Sequence, residues 1–189
     1  MRLLNKIYDL LKDREKKVVA QNFLSLVLLQ GANYILPLLI LPFLVRVLGA
    51  EKFGLVMFAQ SFAIFLTVFV DFGFNISGTR EISLAKKNKS KTGEIFLAIM
   101  SIKLVLIVIA FSILYVVVNL FTRFSVDVEV YLLSFGVVIG QALFPVWFFQ
   151  GIEKMKFVTL INILAKVIFT VLVFLLIKTE SDYFKVPIY

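Results

Sequence analysis

Lys103 and Lys166 are the only charges inside two long apolar runs, "LAIMSIKLVLIVIA" and "LINILAKVIFTVLV". An ammonium group in such surroundings suits one kind of chemistry. It holds an anion, far more strongly than in water, because the local dielectric is low. The sequence has neither histidine nor cysteine. Disulfides and cysteine nucleophiles are therefore excluded, and zinc or haem ligand sets of the usual kind are not expected. No catalytic residue, metal or cofactor is expected.

The elements that must position these lysines follow from composition. Hydrophobic residues make up 61% of the 189, charged residues 17%, and mean hydropathy is +1.00. A soluble domain has about 45–50% apolar and about 25% charged residues. The excess of apolar side chains predicts an all-α, polytopic transmembrane helix bundle forming one domain. Residues 1–20 have Leu3, Leu4, Ile7, Leu10 and Leu11 at helical spacing between charges, which predicts an amphipathic cytoplasmic helix on the membrane surface. Spans are expected at 22–45, 53–77, 95–119, 130–150 and 157–177, with a sixth beginning near Tyr183.

With the N-terminus in the cytoplasm, thirteen lysines and arginines fall inside and five outside, as the positive-inside rule requires. The same distribution accounts for the net charge of +8, so no nucleic-acid partner is expected. The loops are too short for a soluble catalytic domain. Function is left to the helices and the spaces between them.

Each lysine lies about nine or ten residues into its span, roughly 15 Å deep in a core about 30 Å thick. A lysine stem reaches only about 6 Å, so neither snorkels easily to water. Two readings remain. Each lysine is paired with a carboxylate on another helix or is neutral, or together they form a cationic cavity for an anionic ligand. Asp71 is the one carboxylate inside a span, near the inner end of span two.

Arg46 ends span one as a snorkelling cation or a third ligand contact at the cavity mouth. Asp71, Arg80 and Glu81 form an interfacial salt-bridge cluster or an inner gate, with Gly73 and Gly78 allowing a bend. Pro37 and Pro42 are expected to kink span one, and Pro145 span four. In "LFPVWFFQGIEKM", Trp147 reads as an interfacial anchor and Gly151 as the helix stop, with Gln150 at the gate.

Three stretches carry a resemblance. "YILPLLILPFLVRVLGAEKFGLVMFAQ" (34–60), "DFGFNISGTREIS" (71–83) and "LFPVWFFQGIEKMKFVTLINILAK" (143–166) resemble the bacterial O-antigen and polysaccharide flippases. These are oligosaccharide flippases of the multidrug, oligosaccharidyl-lipid and polysaccharide exporter superfamily. The resemblance implies twelve or more helices in two lobes, rocking around a central cationic cavity. It implies an undecaprenyl-pyrophosphate-linked oligosaccharide, moved from the inner to the outer leaflet of the bacterial cytoplasmic membrane. It also implies no covalent chemistry, hence no enzyme. The chain would then be an incomplete N-terminal lobe, whose partners are that lipid-linked sugar, membrane lipids and the remaining lobe. A cation-coupled drug exporter of the same superfamily would instead want intramembrane carboxylates, and a non-transporting assembly subunit would need no buried charge.

Overall fold

The computed structural model describes the backbone of residues 2–121, 124 and 127–188. Side chains are described for 31, 34, 35, 37–121, 124, 127–155 and 158–187. The expected surface helix at 1–20, as an amphipathic face, and half of the expected first span fall outside the described side chains. About 90% of the chain is helical, with no strand among the described residues.

Among the described residues the α-helices follow in the order α1 (Arg2–Asp71), α2 (Phe74–Ala85), α3 (Lys89–Leu120), α4 (Val128–Leu143), α5 (Val146–Gly151) and α6 (Met155–Leu176). A 3-10 segment, Glu180–Ile188, follows. Four helical stretches among the described residues are long and apolar enough to cross a membrane: Pro37–Ala85, Lys89–Leu120, Val128–Gly151 and Val158–Leu176. At most 28% of any of their apolar windows is buried, so their outward faces need lipid. The apolar stretch beginning at Tyr183 winds as 3-10 helix against α1 and α4, with Val186 buried.

The chain turns with very few residues, and each turn has a local cause. In α1 the backbone leaves helical angles at Gly49, with φ 72° and ψ 165°, a region open to glycine and closed to side chains. Pro37 and Pro42 lie within helical backbone, and the departure from helical angles falls at Gly49. Leu44 and Met57, on either side of Gly49, line the same hollow, so the two arms of α1 fold back on one another. The second break, between α1 and α2, is carried by Phe72 and Gly73 at φ 45° and 80°.

A further break is at Pro145, which separates α4 from α5 rather than kinking one helix. With no N–H of its own, Pro145 adopts φ −83° and ψ 66°. The Val146 N–H donates to the Phe144 carbonyl at 2.9 Å, closing an inverse γ-turn.

Helix α5 ends in a Schellman motif. The Lys154 N–H donates to the Phe149 carbonyl at 2.8 Å, and the Glu153 N–H to the Gln150 carbonyl at 3.1 Å. The left-handed residue is Glu153, at φ 60°, and not Gly151. Gly151 meets a different need. A Cβ there would lie 2.6 Å from Cγ2 of Ile82 and 3.0 Å from the Thr79 carbonyl oxygen. A Cβ on Gly78 would lie 2.9 Å from Cε3 of Trp147. Helices α2 and α5 therefore cross with backbones nearly touching, Gly78 receiving Trp147 of α5 and Gly151 receiving Ile82 of α2. The Thr79 hydroxyl adds a polar contact, its one proton shared between the Asn75 carbonyl at 2.6 Å and the Trp147 carbonyl at 3.2 Å.

Trp147 is 0% exposed, packed with Ile82 and Ile99 and stacked on Phe96 at 5.8 Å between ring centroids. It is an interior residue, not the interfacial anchor that its place near a span end suggested. Its Nε1 has no hydrogen-bond partner among the described residues.

The main core lies between the α1 arms, α3, α4 and the 3-10 segment, through Leu48, Leu66, Leu114, Val138 and Ile177 among others. At the end of the bundle opposite Trp147, Asp127 gathers a clamp. The Tyr183 hydroxyl donates to it at 2.7 Å, and Lys52 Nζ stands 3.6 Å from it and 4.4 Å from the Tyr183 ring centre. The hydrogen bond to Asp127 pushes the Tyr183 phenol above its ordinary range.

Candidate functional site

Lys166 is the twelfth residue of α6 and lines a hollow of about 250 Å³. Pro37, Ile40, Leu41 and Leu44 come from the first arm of α1, Met57 and Gln60 from the second. Phe169, Thr170 and Val186 complete the lining. The geometry follows from Gly49, since only the folded-back arms bring residues 37–44 and 57–60 to one place. The walls are mainly hydrocarbon, with an ammonium, an amide and a hydroxyl. Such a space suits a small anionic group attached to a larger molecule. A larger groove, about 420 Å³, runs between α3 and α4, but Ile107, Phe111, Leu132, Ile139 and the rest of its lining carry no polar side chain.

Lys103 has the other fate open to it. It is 2% exposed, and its Nζ donates to Oδ1 of Asp71 at 2.9 Å, in an ion pair whose acid side chain is 23% exposed. Asp71 is the last residue of α1, so the pair ties the end of that helix to the middle of α3 where the main chain breaks. The cation is the desolvated partner, and the acid keeps some access to solvent or headgroups. Lys103 does not line the Lys166 hollow, so the two lysines do not share one cavity in this structure.

The remaining candidates are spread out. Arg46 is exposed on the first arm of α1, away from the buried Leu44 and Leu48, and does not line the hollow. Arg80, Glu81 and Gln150 are exposed at the Trp147 end. Neither Arg80 nor Glu81 makes an ion pair among the described residues, so the expected cluster with Asp71 is not assembled here. A different pair spans that end: Lys86 Nζ to Glu153 at 2.8 Å, joining α2 to the turn after α5.

That pair makes stability depend on pH in a definite direction. The Lys86 hydrogen bond and charge hold the Glu153 carboxyl below its ordinary value of 4.5. A lowered carboxylate contributes its stability above the unfolded pKa and loses it as pH falls through the folded value. Thermal unfolding followed from pH 6 to pH 3 is expected to show a small loss that Glu153→Gln abolishes. The effect is small because Glu153 is largely exposed.

Sequence reasoning missed the Lys52–Asp127–Tyr183 clamp and the paired glycine crossings. Charges at two span ends hinted at the first. Gly78 and Gly151, each facing a large side chain of the other helix, hinted at the second.

An all-helical bundle with lipid-facing apolar surface and a lysine-bearing hollow defines a multi-pass membrane protein. Its place among such proteins comes from comparison. The family model described as "Polysaccharide biosynthesis protein" matches residues 19–189, and the chain belongs to that family. It is 37% identical over 167 residues, 88% of its length, to "Putative O-antigen transporter" of Escherichia coli (strain K12), covering 40% of that protein. It is 33% identical over 162 residues, 86% of its length, to "Putative O-antigen transporter" of Shigella dysenteriae, again covering 40%. The chain thus spans about two fifths of the length of these curated relatives. No solved structure matches it. The flippase resemblance carried by residues 34–60, 71–83 and 143–166 agrees with these relatives.

Proposed function

We propose that this chain contributes the anion-holding part of a membrane transporter that flips an undecaprenyl-pyrophosphate-linked oligosaccharide across the bacterial cytoplasmic membrane. The observation that carries the reading is Lys166 on the hollow between the α1 arms and α6, with Gln60 and Thr170 beside it. A pyrophosphate entering there meets an ammonium in a low-dielectric surround, where attraction is much stronger than in water. The sugars occupy wet space between lobes, and the polyprenyl tail stays in lipid. Rocking of one lobe against the other then changes the side of access. The remaining lobe comes from sequence outside this chain. Nothing covalent is made or broken, so the protein is a transporter and not an enzyme.

Lys103 enters this cycle as a second cation when Asp71 releases it. The Asp71–Lys103 pair then serves as an inner gate, with Arg80, Glu81 and Gln150 at its rim and Arg46 at the opposite mouth. The N-terminus lies in the cytoplasm, which puts the Trp147 end inside. A drug exporter for cations is less well supported, because the in-span carboxylate Asp71 already has its partner in Lys103.

The test is Lys166→Gln in the full-length context. Loss of a charge-assisted contact worth about 1.5–3 kcal/mol lowers affinity for the lipid-linked sugar by about ten- to hundred-fold. Surface polysaccharide is expected to fall accordingly, membrane insertion to stay normal, and Lys166→Arg to keep most activity. Unchanged export in Lys166→Gln sinks the reading.

A further inference from the structure

Helix α2 has two faces, and the fold uses only one of them. Gly78, Ile82 and Ala85 are buried against α5 and its neighbours. The opposite face presents Ile76, Arg80 and Leu84 at four-residue spacing, with Phe72 exposed in the turn before the helix. Ile76 is 82% exposed, Leu84 73% and Phe72 72%, and Arg80 lies among them, also exposed. Lys87 lies exposed in the turn that follows α2, and Lys89 and Lys91 fall in the first turn of α3. Lys86 spends its charge on Glu153, whereas Arg80, Lys87, Lys89 and Lys91 make no ion pair among the described residues. Glu81 is the one acid on α2.

A short helix that exposes large apolar side chains with cations set among them fits the boundary between acyl chains and headgroups. The breaks at Phe72–Gly73 and after Ala85 free α2 from continuing either long helix, so it can lie along that boundary. Charge decides the class of lipid. Several unpaired cations attract anionic headgroups, and the planar guanidinium of Arg80 suits two phosphate oxygens at once.

We infer that the outer face of α2, with Arg80 and Lys87, is a binding surface for anionic phospholipid, which gathers there in preference to zwitterionic lipid. Ile76 and Leu84 insert between acyl chains, and the two cations hold the phosphate. The lipid is thereby a positioning partner for the α2–α5 crossing at the Trp147 end. The inference does not depend on what the protein transports.

The chain lacks cysteine, so Ser83→Cys supplies a unique label site on the exposed side of α2. The labelled 189-residue chain is placed in phosphatidylcholine bilayers containing a trace of acyl-nitroxide phosphatidylglycerol or, separately, acyl-nitroxide phosphatidylcholine. Quenching of the fluorophore reads local lipid. Phosphatidylglycerol is expected to be enriched about five-fold or more, since each cation near an anionic group contributes about that factor. Arg80→Gln/Lys87→Gln is expected to bring the ratio close to one, and so is high salt on the unsubstituted chain. Equal quenching by the two lipids overturns the inference. So does enrichment that survives both the double substitution and salt. If Ile76→Ser/Leu84→Ser instead separates pairs of chains within the bilayer, the face is a contact between copies and the inference is again overturned.

Discussion

Asp71→Ala is expected to destabilise the protein by about 3 kcal/mol, at the low end for a buried pair because the acid side chain is 23% exposed. The loss comes from what remains. Lys103, 2% exposed, would keep its charge with no counter-ion or give up its proton. Lys103→Met is expected to cost far less, because it removes the group that is expensive to desolvate and leaves a carboxylate with some access to solvent. Asp71→Asn/Lys103→Met should fall near the unsubstituted protein. Thermal unfolding in nanodiscs, followed by circular dichroism, checks the order of the four proteins. Equal losses for the two single substitutions would mean that the pair is not as buried as described. The reversed pair, Asp71→Lys/Lys103→Asp, separates two roles. Recovery of stability with loss of export is expected if Lys103 also meets the anion during the cycle. Recovery of both assigns it to structure alone.

Trp147→Ala is expected to cost about 3–5 kcal/mol, the usual range for removing a large aromatic from a packed interior. The indole fills the space that Gly78 leaves, so α2 loses its main support against α5. Trp147→Phe should cost under about 1.5 kcal/mol, because the indole Nε1 gives up no hydrogen bond among the described residues. The converse change, Gly151→Val, inserts volume where Ile82 and the Thr79 carbonyl already stand, for a cost of about 1–3 kcal/mol. Trp147 is the chain's one tryptophan, so its emission reports the environment directly. Gly151→Val is expected to shift that emission to the red. An unshifted spectrum with unchanged stability would mean that the two helices do not cross this closely.

Much of this was legible before any coordinates. Charge-free runs marked the helices, because a bilayer tolerates no long polar backbone segment and few charges. The Asp71–Lys103 pair was not legible in this way: Asp71 counts as near the inner end of its span and Lys103 as mid-depth in another, so residue counting spoke against the pair that the structure forms. What the sequence hid was tertiary in origin. Gly151 looks like a helix stop until Ile82 arrives from α2. Trp147 looks interfacial by position, and only the neighbouring Gly78 shows that it points inward. Pro37 and Pro42 drew attention because proline removes a donor, yet Gly49 makes the turn by supplying an angle. Tyr183 and Asp127 are separated by 56 residues, and no local pattern joins them. The separation of Lys103 from the Lys166 hollow follows the same logic: depth along a helix is countable from sequence, and facing direction is not.

Gly49 joins the first two arms of the chain through a single non-helical residue. Their relative swing is governed by its two torsions, φ and ψ, with no loop in between to absorb strain. Any alanine or larger side chain there would lock or break the joint, because the angles it holds are ones that L-residues rarely adopt. A pair of spin labels on the two arms should accordingly report a few sharp separations, as a ratchet does, and not the broad spread of a flexible tether.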